Sequence, residues 1–388
     1  MTEEKNISAC SPGESAYKVL LIGGYGFFGR RLAERLALDP LLHVTIAGRD
    51  MAAAQMLADS LNRRTATERF SACRIDVSEA GLATRIRASR ADMVIHASGP
   101  FQGQGYEVAR ACIEARVHYA DLADGRDFVS GIITLDADAR QADLFVTSGA
   151  SSVPALSGAV VDELAGNFSE LHGIDVGISP GNRTERGLAT VGAILGYCGA
   201  SFPQWRAGRW QQAFGWQGLR RQNYRAPVGG RWLANCDVPD LQLFPERYPG
   251  VQRVSFGAGL ELPLLHFGVW LMSGMRRAGL VQNWSRHAAI LKKLSDLFIR
   301  FGSDAGAMHV ELDGLGIDGA KQHRRWTLIA ANGDGPYVPV LASAILAGKL
   351  ARNQTTRRGA FPCIGILKLE DFLDVMQGLA ITTESSAK

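Results

Sequence analysis

KVLLIGGYGFFGRRLAERLA, residues Lys18 to Ala37, carries the strongest structural signal in the chain. An apolar run ends in two overlapping glycine patterns, Gly24-x-Gly26-x-x-Gly29 and Gly23-x-x-Gly26-x-x-Gly29. A stretch with helical spacing follows. Glycine spacing alone is weak evidence, because tight turns use glycine for structural reasons. The order strand, turn, helix is what a dinucleotide cradle requires. Gly24 is expected to permit the turn, Gly26 to let backbone approach a pyrophosphate, and Gly29 to let the helix pack closely on the strand. Tyr25, Phe27 and Phe28 lie between them and join the candidate cofactor contacts, since the helix N-terminus offers amide donors to phosphate.

The same rhythm fills the first 150 residues. Strand candidates are 18–23, 43–48, 71–77, 92–98, 117–122 and 143–149, with amphipathic helical stretches between them. Six such strands predict an α/β, doubly wound parallel sheet of Rossmann type. The second half predicts an α+β unit. Residues 183–200 read as a helix, 251–259 as a strand, 262–300 as two helices, and 307–335 as antiparallel strands alternating at period two. The expected organisation is a polar tail (1–16), a nucleotide-binding domain (17–150), a substrate or dimerisation domain (151–335), and C-terminal helices (336–388) that return to the first domain.

Cofactor choice is read at the end of the second strand, in Ala47-Gly48-Arg49-Asp50. An NAD enzyme places an acid there for the ribose 2′-hydroxyl. Here Arg49 suits a 2′-phosphate, so NADP(H) is preferred over NAD(H). Asp50 is either that acid, displaced, or the N-cap of the next helix. Asp76 and Val77 sit where an adenine contact is expected, and a helix cap is the equal alternative for Asp76. Ser98, Gly99 and Pro100 follow the fourth strand and bring backbone to the nicotinamide end of the crevice. His96 precedes them at the end of an apolar run, where packing or backbone hydrogen bonding is favoured over acid–base work. Tyr119, Asp121 and Asp124 follow the fifth strand at the same edge and are the candidates for gripping a substrate amine or relaying a proton, against a cap or ribose contact for Asp121 and a place in the core for Tyr119.

Composition narrows the classes. A chain of 388 residues suits two domains rather than one core. With 46% hydrophobic and 21% charged residues it is ordinary for a soluble globular protein. Eight lysines stand against 34 arginines, so most cations are forked guanidinium groups suited to phosphate and carboxylate. The six scattered cysteines include no C-x-x-C pair, which points to reduced thiols and a cytoplasmic setting. No metal motif or Walker pattern is present. No stretch reaches the length of apolar residues that a spanning helix needs.

The motifs GGYGFFGRRLAERLA, VTIAGRD, VIHASGPFQGQGYEVARACIEARVHYADLADGRDFV and SGASSVPAL together resemble the saccharopine dehydrogenase-like oxidoreductase family. So do RRWTLIAANGDGPYVPVLASAILAGKL and GAFPCIGILKLEDFL near the C-terminus. The resemblance covers residues 17–165 and 320–380 and leaves the middle unmatched. It implies a Rossmann domain and a second α/β domain that holds the substrate and dimerises. It also implies chemistry on the C–N bond of an amino-acid-like substrate, or, in one branch, enoyl reduction of a lipid-like chain. Short-chain dehydrogenases share the second glycine pattern but need Tyr-x-x-x-Lys, which no tyrosine here supplies. A non-catalytic NADP(H)-binding sensor is the remaining alternative.

Two segments stay open. Residues 205–232 hold six arginines, four tryptophans and a tyrosine without an acid. A cleft wall for substrate carboxylates and a homodimer face are favoured over nucleic-acid binding. Residues 262–280 are nearly all apolar, and core or dimer packing is favoured over a lid or interfacial membrane contact.

Overall fold

The computed structural model describes residues 16–185 and 187–387. The first half runs β1 (Tyr17–Ile22), α1 (Phe27–Leu36), β2 (Leu42–Gly48), α2 (Met51–Thr65), β3 (Phe70–Arg74), α3 (Leu82–Ala88), β4 (Met93–His96), α4 (Glu107–Ala115), β5 (His118–Asp121), α5 (Arg126–Gly131), α6 (Asp136–Gln141), β6 (Phe145–Ser148) and α7 (Ser157–Ala165). The second half runs β7 (Phe168–Ser179), α8 (Leu188–Tyr197), β8 (Ser201–Arg206), β9 (Arg209–Phe214), β10 (Arg220–Asn223), β11 (Gly230–Asn235), α9 (Asp240–Arg247), β12 (Arg253–Ala258), α10 (Pro263–Arg277), α11 (Ala288–Asp296), β13 (Gly306–Gly316), β14 (Lys321–Ala330), α12 (Leu341–Ala351), β15 (Gly359–Pro362), α13 (Leu369–Met376) and β16 (Ile381–Ala387).

The first sheet has the order β15-β6-β5-β4-β1-β2-β3, and all its pairings are parallel. Helices cover both faces, so its strands read as apolar runs rather than alternations. Val19–Ile22 and Met93–His96 are buried throughout. Strand order reverses between β1 and β4, and the crevice at that reversal is where such sheets bind ligands. The sequence predicts six strands here, whereas the sheet has seven. The extra strand, β15, returns from the C-terminal region and pairs with β6.

The second sheet has the order β10-β11-β12-β7-β13-β14-β16, with β8 pairing both β12 and β9. One face is apolar: Ile174 and Val176 of β7, Val310 and Leu312 of β13, and Trp326 and Leu328 of β14 join the main core. The other face is polar. Glu311 stands directly opposite Asp175 across β13 and β7. Two carboxylates facing each other are unfavourable; Arg220 offsets this from 3.2 Å on Asp175, and Arg325 from 3.1 Å on Glu311.

Two expectations need correction, and one open segment takes form. The closing segment is not purely helical, because β15 enters the first sheet and β16 forms the edge of the second. The Arg/Trp segment, for which the sequence offers no secondary structure, forms β8 to β11, with Trp216 and Tyr224 buried in it. Arg220, Arg225 and Arg231 pair with Asp175, Glu384 and Glu261 of the same half. Finally, α10 is not a core helix. Its buried residues are His266 and Ser273, while Leu264 and Leu271 are 67% and 59% exposed.

Candidate active site

The glycine turn forms the floor of the crevice. Gly23, rather than Gly24, takes the left-handed backbone, with φ +79. A Cβ on Gly23 would also meet Ser98 N at 2.8 Å, so the turn after β1 lies against the loop after β4. Gly29 faces backbone: its Cβ would fall 2.1 Å from Gly23 O, which makes the close helix–strand approach a matter of one missing methyl group. Gly26 is the N-cap of α1, and its Cβ would meet Gly23 O at 3.1 Å and nothing else within contact range. No side chain caps α1 and no acid occupies its first turn. The first amides of the helix, those of Phe27, Phe28 and Gly29, therefore remain available to an anion. An open side at Gly26 together with an uncapped helix start fits a dinucleotide pyrophosphate.

Tyr25 bridges the turn to β2. Its ring leaves no room for a Cβ on Gly48, which would come within 2.3 Å. Its hydroxyl accepts from Asp50 N at 2.9 Å. The Asp50 carboxylate accepts from Ala53 N at 3.0 Å and caps α2, which resolves the two sequence readings of that acid in favour of the cap. Arg49 is left exposed beside it. Asp76 accepts from the Ser78 amide at 3.0 Å and the Ser78 hydroxyl at 2.7 Å, and these bonds hold its carboxyl below the usual range. That is a turn cap. Val77 packs beside Cys73 against the core between α3 and α4.

At the other end of the crevice, Ser98 leads into a buried polar chain. Its Oγ lies 2.7 Å from His96 Nε2, and His96 Nδ1 lies 3.4 Å from the Tyr119 hydroxyl. The Tyr119 hydroxyl donates to Asp121 Oδ2 at 3.0 Å. Asp121 Oδ1 accepts from Ala123 N, Ser148 Oγ and Gly149 N. Burial pushes His96 down to about 4, so its imidazole is neutral near pH 7. Burial also pushes Asp121 up to about 6, against the pull of its four hydrogen bonds, while Tyr119 is raised above its ordinary value by burial first. These facts fix a direction. With the Tyr119 hydroxyl proton directed at Asp121, His96 Nδ1–H donates to the Tyr119 oxygen and Nε2 accepts from Ser98. The chain thus runs Ser98, His96, Tyr119, Asp121 from crevice to interior. Gly99 and Pro100 are exposed on the loop above it, where the Gln104 side chain donates to Pro100 O.

The crevice is closed on one side by residues that the sequence reading did not connect. Gln102 of the β4 loop donates to Asp124 of the β5 loop at 3.1 Å. Arg126, buried at the start of α5, lies 2.5 Å from Asp237 and donates to Pro203 O at 2.8 Å. Burial pushes Asp237 up to about 6, with Arg126 opposing it. The first pair ties two loops of the first sheet together, and Arg126 joins that sheet to β8 and the end of β11. The two contacts of Arg126 reach 77 residues along the chain to Pro203 and 111 to Asp237, and no local pattern announces them.

The comparisons agree with this geometry. Residues 19–146 match the family model described as the saccharopine dehydrogenase NADP binding domain. No curated protein matches the chain. Among solved structures, apo saccharopine dehydrogenase (L-Glu forming) from Saccharomyces cerevisiae is similar at 14% identity, with TM-score 0.66, covering 96% of this chain and 100% of that one. Homospermidine synthase from Legionella pneumophila in complex with NAD is similar at 9% identity, with TM-score 0.59, covering 96% of this chain and 91% of that one. At such identities the likeness is one of fold. Residues 19–146 thus carry a saccharopine dehydrogenase-type NADP binding domain, set in a two-sheet fold that saccharopine dehydrogenase shares.

Proposed function

We propose that the protein uses NADP(H) in preference to NAD(H) and moves a hydride to or from the carbon of a C–N bond in an amino-acid-like substrate. The cofactor half of this reading rests on Arg49, exposed beside an Asp50 whose carboxylate already caps a helix. A guanidinium there recognises a 2′-phosphate, and no uncommitted acid stands in its place.

The chemical half is carried by one observation, the directed chain from Ser98 to Asp121. Oxidising a secondary amine to an imine breaks a C–H bond, whose electron pair leaves as hydride, and an N–H bond, whose proton must go elsewhere. When bound, NADP+ takes up the hydride. Ser98 Oγ takes the nitrogen's proton and passes its own to His96 Nε2. His96 Nδ1 passes a proton to the Tyr119 oxygen, and Tyr119 gives its own to Asp121 Oδ2. A carboxyl near 6 is a fitting terminus, because it is ionised and ready to accept at neutral pH. Tyr119 and Asp121 then act through Ser98 rather than by touching substrate; imine reduction runs the chain in reverse. Two fold relatives whose names denote amine-containing products, a saccharopine dehydrogenase and a homospermidine synthase, are consistent with this chemistry.

The same reading takes the substrate to carry a carboxylate, suited to the arginine-rich composition, and the chain to be a cytoplasmic homodimer. The five described cysteines are free, in keeping with a reducing compartment. The test is turnover with NADP+ against a panel of secondary-amine amino acids, beside NADPH with enoyl thioesters. Amine-dependent reduction of NADP+ is expected. Turnover of enoyl thioesters alone would overturn the C–N assignment, and tight cofactor binding without turnover of either class would favour a sensor.

A further inference from the structure

α10 (Pro263–Arg277) is apolar on more than one side: its inward side buries His266 and Ser273 and packs Val269 and Met272 against the cluster of Cys198, Trp216 and Ala234. Ser273 donates to Gly215 O at 2.7 Å and accepts from Gln217 at 3.0 Å, so the inward side is held by hydrogen bonds. Leu264, Trp270 and Leu271 lie on the outer side at helical spacing, with Phe267 at its edge against the Trp232 ring. α11 repeats the pattern. Its inner residues Ala288 and Leu291 pack with Val191 and Leu195 of α8, while Ile290 and Leu294 are exposed, and the stripe continues to Leu297, 71% exposed, and Phe301. The two helices are tied together through α8 and through Trp284, which donates to Met272 O at 2.8 Å. Two neighbouring helices with apolar stripes facing water are unusual for a soluble surface.

Charge around this face is one-sided. Residues 262–301 hold six lysines and arginines against a single acid, Asp296, which is paired to Lys292 at 2.7 Å. Arg277, Arg286, Lys293 and Arg300 are exposed. Apolar side chains that include a Trp and a Phe, rimmed by exposed cations, match the boundary between lipid headgroups and acyl chains. A second copy is a poorer occupant, because a two-fold interface brings the same patch together and would set these cations against themselves. Among the described residues no helix is long and apolar enough to cross a membrane, so contact would be peripheral.

We propose that the outward faces of α10 and α11, with Arg277, Arg286, Lys293 and Arg300 at their rim, seat the protein on an anionic phospholipid surface. Of the sequence expectations for this segment, the exposed stripe rules out core packing, and the proposal takes membrane contact over dimer packing; it stands independently of the reaction proposed above. Cosedimentation of the full chain with vesicles tests it. Binding to phosphatidylcholine vesicles that contain phosphatidylserine is expected, and binding to phosphatidylcholine alone is expected to be much weaker. Arg277→Gln with Lys293→Gln should weaken partition about thirtyfold, and Leu271→Glu with Leu294→Glu should abolish it. All four sites are exposed, so circular dichroism and NADPH binding should be unchanged in both variants. Charge-independent sedimentation, or none with either vesicle, would overturn the proposal. So would light scattering that shows a dimer which Leu271→Glu with Leu294→Glu dissociates, since the face would then belong to a second copy.

Discussion

The two inner glycines of the turn should fail in different ways. Gly29→Ala places a methyl 2.1 Å from Gly23 O and 2.8 Å from both Gly24 C and Gly24 Cα. An ordinary C···O contact needs roughly 3.3 Å, so α1 must back away by about 1 Å. All the clashing atoms are backbone, and no side chain can rotate aside. Overpacking of this kind costs about 1–3 kcal/mol, and the rigid neighbours put it near the upper end. The better helix propensity of alanine returns at most about 1 kcal/mol. Moving α1 also disturbs Leu32, Ala33 and Leu36, which bury its inner face, and shifts the helix's first amides, the proposed phosphate donors. Gly26→Ala is the contrast. Gly26 has φ -68, which alanine adopts freely, and its new methyl meets only Gly23 O, at 3.1 Å. That methyl projects into the open side of the cradle. Denaturant unfolding and NADPH titration of both variants separate the outcomes. Gly29→Ala should lose about 2–3 kcal/mol of stability and bind cofactor poorly. Gly26→Ala should keep its stability and lose about 1–3 kcal/mol of NADPH affinity, the cost of leaving charged hydrogen bonds unmade. A neutral Gly29→Ala, or a Gly26→Ala that unfolds yet still binds, would refute this account of the turn.

Two further outcomes follow from buried acids. Burial raises Asp240, at the start of α9, to about 7, so its contribution to stability is complete below its unfolded value near 3.8 and is lost as pH rises through about 7. Asp240→Asn removes that loss, and the stability gap between variant and wild type should widen by up to about 4 kcal/mol between pH 4 and pH 8; parallel curves would contradict it. In the proposed relay Asp121 must be ionised to accept a proton, so if the proposed amine oxidation holds, kcat/KM should climb through about pH 6 in the wild type. Asp121→Asn keeps an acceptor for Ala123, Ser148 and Gly149 and should fold, but it should lose that inflection along with most of the rate; an unchanged pH profile would remove Asp121 from the relay.

What was legible in the sequence tracks how local each signal is. The β1–turn–α1 unit is written in consecutive residues, and so are the alternations of β13 and β14, which pair in antiparallel register as expected. β7 lies at the centre of the second sheet, and its Ile174-Asp175-Val176-Gly177-Ile178 does alternate. Glycines at 173 and 177 mask the pattern, because each gives up a side chain where a Cβ would clash with Asp313 or His309. β15 and β16 escaped for a different reason. The first is four residues ending in proline, and the second, Ile381–Ala387, is polar along an exposed edge. Neither has intrinsic strand character, and each exists because a partner strand is waiting. α10 misled because an apolar sequence says how much surface wants covering, not which side the rest of the fold covers. At the site, His96 and Asp121 were visible as candidates. Their connection through Tyr119 depends on β4 and β5 lying side by side, with His96 opposite Asp121.

The cofactor assignment can be measured in one experiment: paired equilibrium titrations of NADPH and NADH against the wild type and Arg49→Ala. NADPH should bind the wild type more tightly. Removing the exposed guanidinium should cost NADPH about tenfold in affinity, a charge-assisted contact discounted for solvent, and leave NADH unchanged. NADH binding at least as tightly as NADPH, or a preference that survives Arg49→Ala, would contradict the account.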